Sequence, residues 1–260
     1  MTWSAPDYSK FEAERNRPVR DLLSQLTGDP ASIIDLGCGP GNSTELLAAR
    51  FPNATVTGID SSPDMIDAAA KRRPDIRFEV RDIGERHDAD GRFDLMFANA
   101  SLQWLPNHAA LLSVLVDQLA PGGMLAVQMP DNLDEPAHRL MRETALDARW
   151  AVKLADASKA RDSLHSAEWY LETLRGLGTQ VDVWRTTYHH ALAGGAADIV
   201  GWFKSTGLRP FLQPLDEDEQ AAFLARYETA IARIVPSASD GTVLLRFPRL
   251  FFTARLETHR

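Results

Sequence analysis

Cysteine is almost missing from this 260-residue chain: Cys38 stands alone. One thiol excludes an intrachain disulfide and a cysteine-built metal cluster. Basic residues are also in deficit, 28 Lys and Arg against 36 Asp and Glu, for a formal net charge of −8. That balance argues against a general grip on nucleic acid, although a local basic pocket stays compatible with it. No apolar run is long enough to span a bilayer. The first ten residues are polar with no apolar stretch behind them, so no secretory leader is expected. Repeats and low-complexity tracts are lacking too. What is present, 44% hydrophobic and 25% charged residues, suits a globular protein with a sizeable core. A cytoplasmic, monomeric protein without a membrane or nucleic-acid partner is expected.

The most informative stretch is Ile33-Ile34-Asp35-Leu36-Gly37-Cys38-Gly39-Pro40-Gly41-Asn42-Ser43-Thr44. An apolar run ends in an acid, glycines follow at alternate positions, and a helix-like segment begins. Strand, tight turn and helix start is the natural reading, with backbone free to approach a ligand and helix N–H groups beside it. Further strands are expected at 54–60, 76–80, 93–97 and 124–129, alternating with a helix that starts at Pro63 and another at 107–119. In that reading Pro18 sits in the first turn of an earlier helix, and Pro121-Gly122-Gly123 closes the helix that Asn107 caps. Alternation of this kind predicts an α/β doubly wound, mostly parallel sheet. Beyond Pro130 the rhythm changes: 131–165 reads as mostly helical, 167–177 as a helix, 181–188 as a strand. Residues 196–235 read as helical around a loop at 207–214, and 247–256 is a last strand. The two helical insertions, 131–165 and 193–240, are expected to cap the sheet's carboxyl edge within one domain spanning 1–260, with a ligand-binding core at 30–130.

Dinucleotide-binding turns follow G-x-G-x-x-G. The tighter G-x-G-x-G here, with Asp35 before it, fits a ligand with no pyrophosphate to cradle. Asp60 ends the second strand, roughly twenty residues past the glycines, where a carboxylate can accept both ribose hydroxyls. Asp82-Ile83 ends the third, offering an acceptor for an adenine amino group and an apolar face for its ring.

D-x-G-x-G-x-G, an acid after strand two, an Asp-hydrophobic pair after strand three and Pro-Gly-Gly before strand five together resemble the class I S-adenosylmethionine-dependent methyltransferases. The resemblance implies a Rossmann-like seven-stranded sheet with an antiparallel last strand. It implies a cofactor wall from Asp35, Gly37, Cys38, Gly39 and Gly41, from Asp60, Ser61 and Met65, from Asp82 and Ile83, and from Asn99, Ala100 and Ser101. Cys38 reads as a small packing residue in that wall, not a nucleophile.

For the acceptor, no Asn-Pro-Pro-Tyr-type motif follows strand four. Arginines instead come in small groups: Arg15 and Arg17, Arg139 and Arg142, and Arg209 with Lys204. Guanidinium groups over a closed pocket suit a small polycarboxylate, because each can grip a carboxylate bidentately. Several blocks are similar to the trans-aconitate 2-methyltransferase family. They include Asp7-Tyr8-x-x-Phe11, Phe97 to Pro106, Ala126 to Asn132, Trp184 to Tyr188, Thr206 to Pro210 and Phe247 to Phe251. That resemblance implies methyl transfer to a carboxylate of trans-aconitate, a small tricarboxylate. Tyr8, Arg15, Arg17, Gln103, Trp104, Arg142 and Arg209 are then the expected acceptor pocket. An ionised carboxylate needs no general base, so no catalytic residue and no metal are expected, and His108, His138, His189 and His190 read as surface or packing residues. The rival readings are methylation of another small acid or an acyl-carrier-bound carboxylate, and a non-catalytic S-adenosylmethionine-binding regulator.

Overall fold

The computed structural model describes residues 11–85, 91–204 and 206–258. Its centre is a seven-stranded sheet. Strands β1 (Ser32–Leu36), β2 (Thr55–Asp60), β3 (Arg77–Val80), β4 (Phe93–Asn99) and β5 (Leu119–Pro130) run parallel. Strands β6 (Thr179–Leu192) and β7 (Val243–Leu256) complete the order β3-β2-β1-β4-β5-β7-β6. β7 lies antiparallel to both neighbours, as expected for the last strand.

Apolar residues alternate between the two faces, and both faces are covered. Ile33, Leu95, Phe97, Ala126 and Phe251 face one core, and Ile34, Met96, Ala98, Val127 and Phe252 face the other. This double burial is why the parallel strands read as continuous apolar runs. The first face is covered by α1 (Glu12–Ser24) and α2 (Asn42–Arg50), among others. Helices α4 (His108–Asp117) and α6 (Ala167–Gly176) cover the second, α3 (Pro63–Arg72) lying nearer β2 and β3. Each fully buried aliphatic or aromatic side chain in these layers contributes roughly 1.5–3 kcal/mol.

Between β5 and β6 comes α5 (Pro136–Ala145). Helices α7 (Gly195–Lys204), α8 (Arg209–Leu212) and α9 (Glu217–Ile234) lie between β6 and β7. α9 packs on α5 and α7, and the Tyr227 hydroxyl donates to the Ala137 carbonyl (3.1 Å), so the two insertions form one layer.

Several local expectations are corrected. Pro18 lies inside α1, not in its first turn, because the helix already starts at Glu12. Pro121-Gly122-Gly123 belongs to β5, which begins at Leu119 opposite Phe93 and passes an irregularity before Met124. Residues 131–165 are mostly turns: only α5 and a short 3-10 turn at Ala157–Lys159 are helical, and the Trp150 indole N–H ties the intervening segment to the Thr144 carbonyl (2.6 Å). The expected loop at 207–214 contains α8.

The order of strands reverses at β1, which has β2 on one side and β4 on the other. Loops leaving the carboxyl ends of β1 and β4 diverge there and open a crevice, the place where doubly wound sheets bind ligands.

Candidate active site

A cavity of about 350 Å³ opens at that crevice. Its floor on one side is the glycine turn. The Gly37 and Cys38 N–H groups both donate to the Ile59 carbonyl (2.8 and 2.9 Å), which ties the turn to the end of β2. Gly37 has φ +73°, and a Cβ there would stand 2.4 Å from the Ser101 Cβ, so only glycine fits between β1 and the turn after β4. At Gly39, with φ +54°, a Cβ would meet nothing within 4 Å: backbone faces open space where a ligand can lie against it.

Asp60 ends β2 with both oxygens engaged. Oδ2 accepts from the Gly39 N–H (3.0 Å) and Oδ1 from the Ser62 N–H (2.9 Å). Burial raises its pKa, and those two N–H groups oppose the rise. Asp82 Oδ1 accepts from the Gly84 N–H (2.7 Å), leaving Ile83 buried against the cavity. Ser61, Met65, Asn99, Ala100 and Ser101 line the same wall. Ala100 has φ +53°, a left-handed conformation uncommon outside glycine. It is held by its N–H to the Gln128 carbonyl (2.9 Å), and its own carbonyl accepts from the Gln103 Nε2 (2.6 Å).

Two residues expected in this wall lie elsewhere. Asp35 is fully buried beneath the turn, where its Oδ2 accepts from the Ser43 and Thr44 hydroxyls (2.7 and 2.6 Å) and so fastens β1 to the start of α2. Gly41 is the residue before α2, and its missing side chain makes room for Ala69, 3.2 Å from where a Cβ would be. Cys38 does line the cavity, with a buried thiol whose pKa burial pushes upward, which suits packing rather than nucleophilic chemistry.

Burial pushes Asp35 up to about 6, against the help of its two hydroxyl donors. The native state therefore holds a proton that the unfolded chain, titrating near 4, has already released. This acid subtracts stability as pH rises from about 4 through 6, by roughly 3 kcal/mol at full ionisation. The stability of the wild type relative to Asp35→Asn is expected to fall between pH 4 and 7.5 in urea unfolding. A difference independent of pH would show that Asp35 has an ordinary carboxylate pKa in the native state.

Four arginines among the described residues also line the cavity. Arg15 and Arg209 line it as expected, with Gln103 and Trp104. The Arg15 Nη2 donates to the Trp202 carbonyl (3.2 Å), and burial pulls the Arg209 pKa down. Two further arginines were not singled out from sequence. Arg249, 4% exposed on β7, donates from Nη1 to Gln128 Oε1 (2.9 Å). Arg161 donates to Asn132 Oδ1 (3.1 Å) and to the Pro130 carbonyl, and burial pulls its pKa down to about 10, still well above neutrality. His138 also lines the cavity; burial foremost, then Arg161 and Arg142, lower its pKa to about 3, so it is neutral at pH 7.

The remaining arginine expectations fail for geometric reasons. Arg17 is two residues from Arg15, about 200° around a helix, so both cannot face one pocket; it is exposed and lies over the Tyr188 ring (5.1 Å). Arg142 stands one turn beyond His138, lines a smaller adjoining recess of about 30 Å³ and donates to the Leu133 carbonyl (2.8 Å). Arg139 and Lys204 are exposed. Tyr8 lies outside the described residues. Of the histidines, His108 is buried with Nδ1 2.6 Å from the Tyr170 hydroxyl, and His190 stacks on Trp202. Among the described residues no cluster of three or more His, Cys, Asp or Glu side chains could hold a metal ion, and no helix is long and apolar enough to cross a membrane.

Residues 33–123 match the family model described as a methyltransferase domain. Solved structures of the same fold include a putative methyltransferase from Bacillus halodurans (TM-score 0.59, 15% identity, 92% of this chain and 99% of that one). Another is phosphoethanolamine N-methyltransferase 2 from Haemonchus contortus, solved in complex with S-adenosyl-L-methionine (TM-score 0.54, 17% identity, 92% and 52%). Relatives named trans-aconitate 2-methyltransferase come from Methylobacterium nodulans, 54% identical over 97% of this chain and 98% of that protein, and from Rhizobium meliloti, 52% identical over 98% of each. The chain belongs to the trans-aconitate 2-methyltransferase family.

Proposed function

We propose that this enzyme transfers the methyl group of S-adenosylmethionine to a carboxylate of trans-aconitate, giving a monomethyl ester and S-adenosylhomocysteine. The observation that supports the acceptor is the distribution of charge in one cavity. Its lining carboxylates, Asp60 and Asp82, sit at the ends of β2 and β3, while Arg15, Arg161, Arg209 and Arg249 line it elsewhere. Asp60 on β2 and Arg249 on β7 are four strand spacings apart, about 19 Å. At that separation Asp60 does not pair with Arg249, and a small polyanion can lie between them.

The donor end fits S-adenosylmethionine by its chemistry. Asp60 offers carboxylate oxygens to a ribose, Asp82 and Ile83 suit an adenine, and the open backbone at Gly39 leaves room for the methionine portion. When bound, this cofactor supplies a methyl on a positive sulfur; the carboxylate oxygen gains the O–C bond as the C–S bond breaks and its electron pair returns to sulfur.

The protein's part is to hold the acceptor in line, and positioning is worth several kcal/mol of a barrier of this kind. Arg161 and Arg209 hold the carboxylates that are not methylated. The acceptor is already ionised at pH 7 and needs no general base, which agrees with a cavity whose one histidine, His138, has a pKa near 3. Residues 131–165 and 193–240 act as the cap that keeps water from the reaction, with Asn132 and Arg161 from the first and Trp202, Phe203 and Arg209 from the second.

Incubation with labelled S-adenosylmethionine and trans-aconitate, beside cis-aconitate, citrate and an acyl-carrier-bound acid, tests this reading. A labelled ester formed fastest from trans-aconitate is expected. A protein that binds the cofactor and esterifies none of these acids would overturn it.

A further inference from the structure

At the carboxyl edge of the sheet a row of polar side chains crosses three neighbouring strands. Asn99 on β4 is paired in register with Gln128 on β5, and Arg249 on β7 stands opposite Pro130, two residues further along β5. Residues two apart on a strand share a face, so all three project to the same side. Gln128, with no exposed surface, links them: Oε1 accepts from Arg249 Nη1 (2.9 Å), and Nε2 donates to Asn99 Oδ1. A guanidinium can only donate, so Arg249 dictates which way the Gln128 amide is turned, and the amide in turn fixes Asn99.

The ends of this row differ in what they border. Arg249 is in the cationic part of the cavity, its guanidinium 4.6 Å from the Phe247 ring centroid. Asn99 leads into the turn Ala100–Ser101 that abuts Gly37, and the Gln128 main chain holds that turn through the Ala100 N–H. Gln128 therefore braces both ends across two strand spacings, about 10 Å.

We propose that Gln128 is a positioning residue that selects which carboxyl group of the acceptor is methylated, by locking Arg249 at the acceptor end to the Asn99 turn at the donor end. This rests on the reading of the site as a carboxylate methyltransferase. A tricarboxylate offers three inequivalent carboxyl groups to one methyl. Overall positive charge draws in all three equally; only a cation held at a set distance from the donor end distinguishes them. Bidentate, planar guanidinium geometry makes that hold directional.

The test uses Gln128→Met, which keeps length and volume but cannot donate a hydrogen bond and accepts only weakly through sulfur. Monoester isomers formed from trans-aconitate are resolved by NMR, with acceptor KM and calorimetric cofactor affinity measured in parallel. Wild type is expected to give one predominant isomer. In Gln128→Met a second isomer is expected to reach at least about a tenth of the product. Acceptor KM should rise about tenfold, the size of a lost hydrogen bond to a charged group, with cofactor affinity within about twofold. Arg249→Lys, which keeps the charge and loses the fork, gives a second measurement should Gln128→Met fold poorly; a mixture of isomers is expected there too. An unchanged isomer ratio in either folded variant overturns the inference and leaves acid methylation standing. Absence of any ester from the wild type would instead overturn the functional reading beneath it.

Discussion

Alanine at position 60 is expected to weaken S-adenosylmethionine binding by about a hundredfold or more, with little change in how the protein handles the acceptor. Two losses combine. The Asp60 carboxylate is the acceptor proposed for the ribose hydroxyls, and it also holds the Gly39 and Ser62 N–H groups that shape the glycine turn. Hydrogen bonds to a charged group are worth about 1.5–3 kcal/mol each, so losing two reaches the hundredfold range. Asp60→Asn keeps one carbonyl oxygen and should cost nearer tenfold. Isothermal titration with S-adenosylhomocysteine measures both, and an affinity within twofold of wild type in the alanine variant would remove Asp60 from the cofactor site.

The mirror-image result is expected from Arg161→Ala. Acceptor KM should rise about a hundredfold while cofactor affinity stays near normal. Arg161 is preorganised: Asn132 Oδ1 and the Pro130 carbonyl hold its terminal nitrogens, and burial has already drawn its pKa down to about 10. That lowering is the cost of holding a cation out of water, and an arriving carboxylate offsets it. Acceptor binding should therefore raise the melting temperature of the wild type and leave the variant unmoved. Arg161→Lys should recover only part of the loss, since an ammonium lacks the planar fork. Steady-state kinetics with thermal shift in the presence of trans-aconitate checks each point; a normal acceptor KM in the alanine variant would place acceptor recognition on the other arginines.

The donor half of the site was far more legible in the sequence than the acceptor half, for physical reasons. Parallel strands buried on both faces are written as apolar runs, and their carboxyl ends carry the turn residues; Gly37, Asp60, Asp82 and Asn99 could be placed by counting from those ends. Asp35 shows the limit of that counting, because position on a strand end does not say whether a carboxylate points to ligand or to the next helix. The acceptor arginines come from helices and a late strand, where spacing gives a shared face but not its direction. Arg139 and Arg142 share such a spacing, yet neither lines the main cavity. Arg161 lies among turns with no periodicity at all. Arg249 sits in a stretch that reads as ordinary strand, and only the pairing of Arg249 with Pro130 reveals that it meets Gln128.

The two walls also come from separate lengths of chain. Gly37 through Ser101 supplies one, and Pro130 through Arg249, with Arg15, supplies most of the other. Heredity can therefore edit them independently. A change among the later codons can retarget the enzyme to a different acid while its methyl supply is inherited intact, and a family of such enzymes can diversify its customers without renegotiating with its supplier.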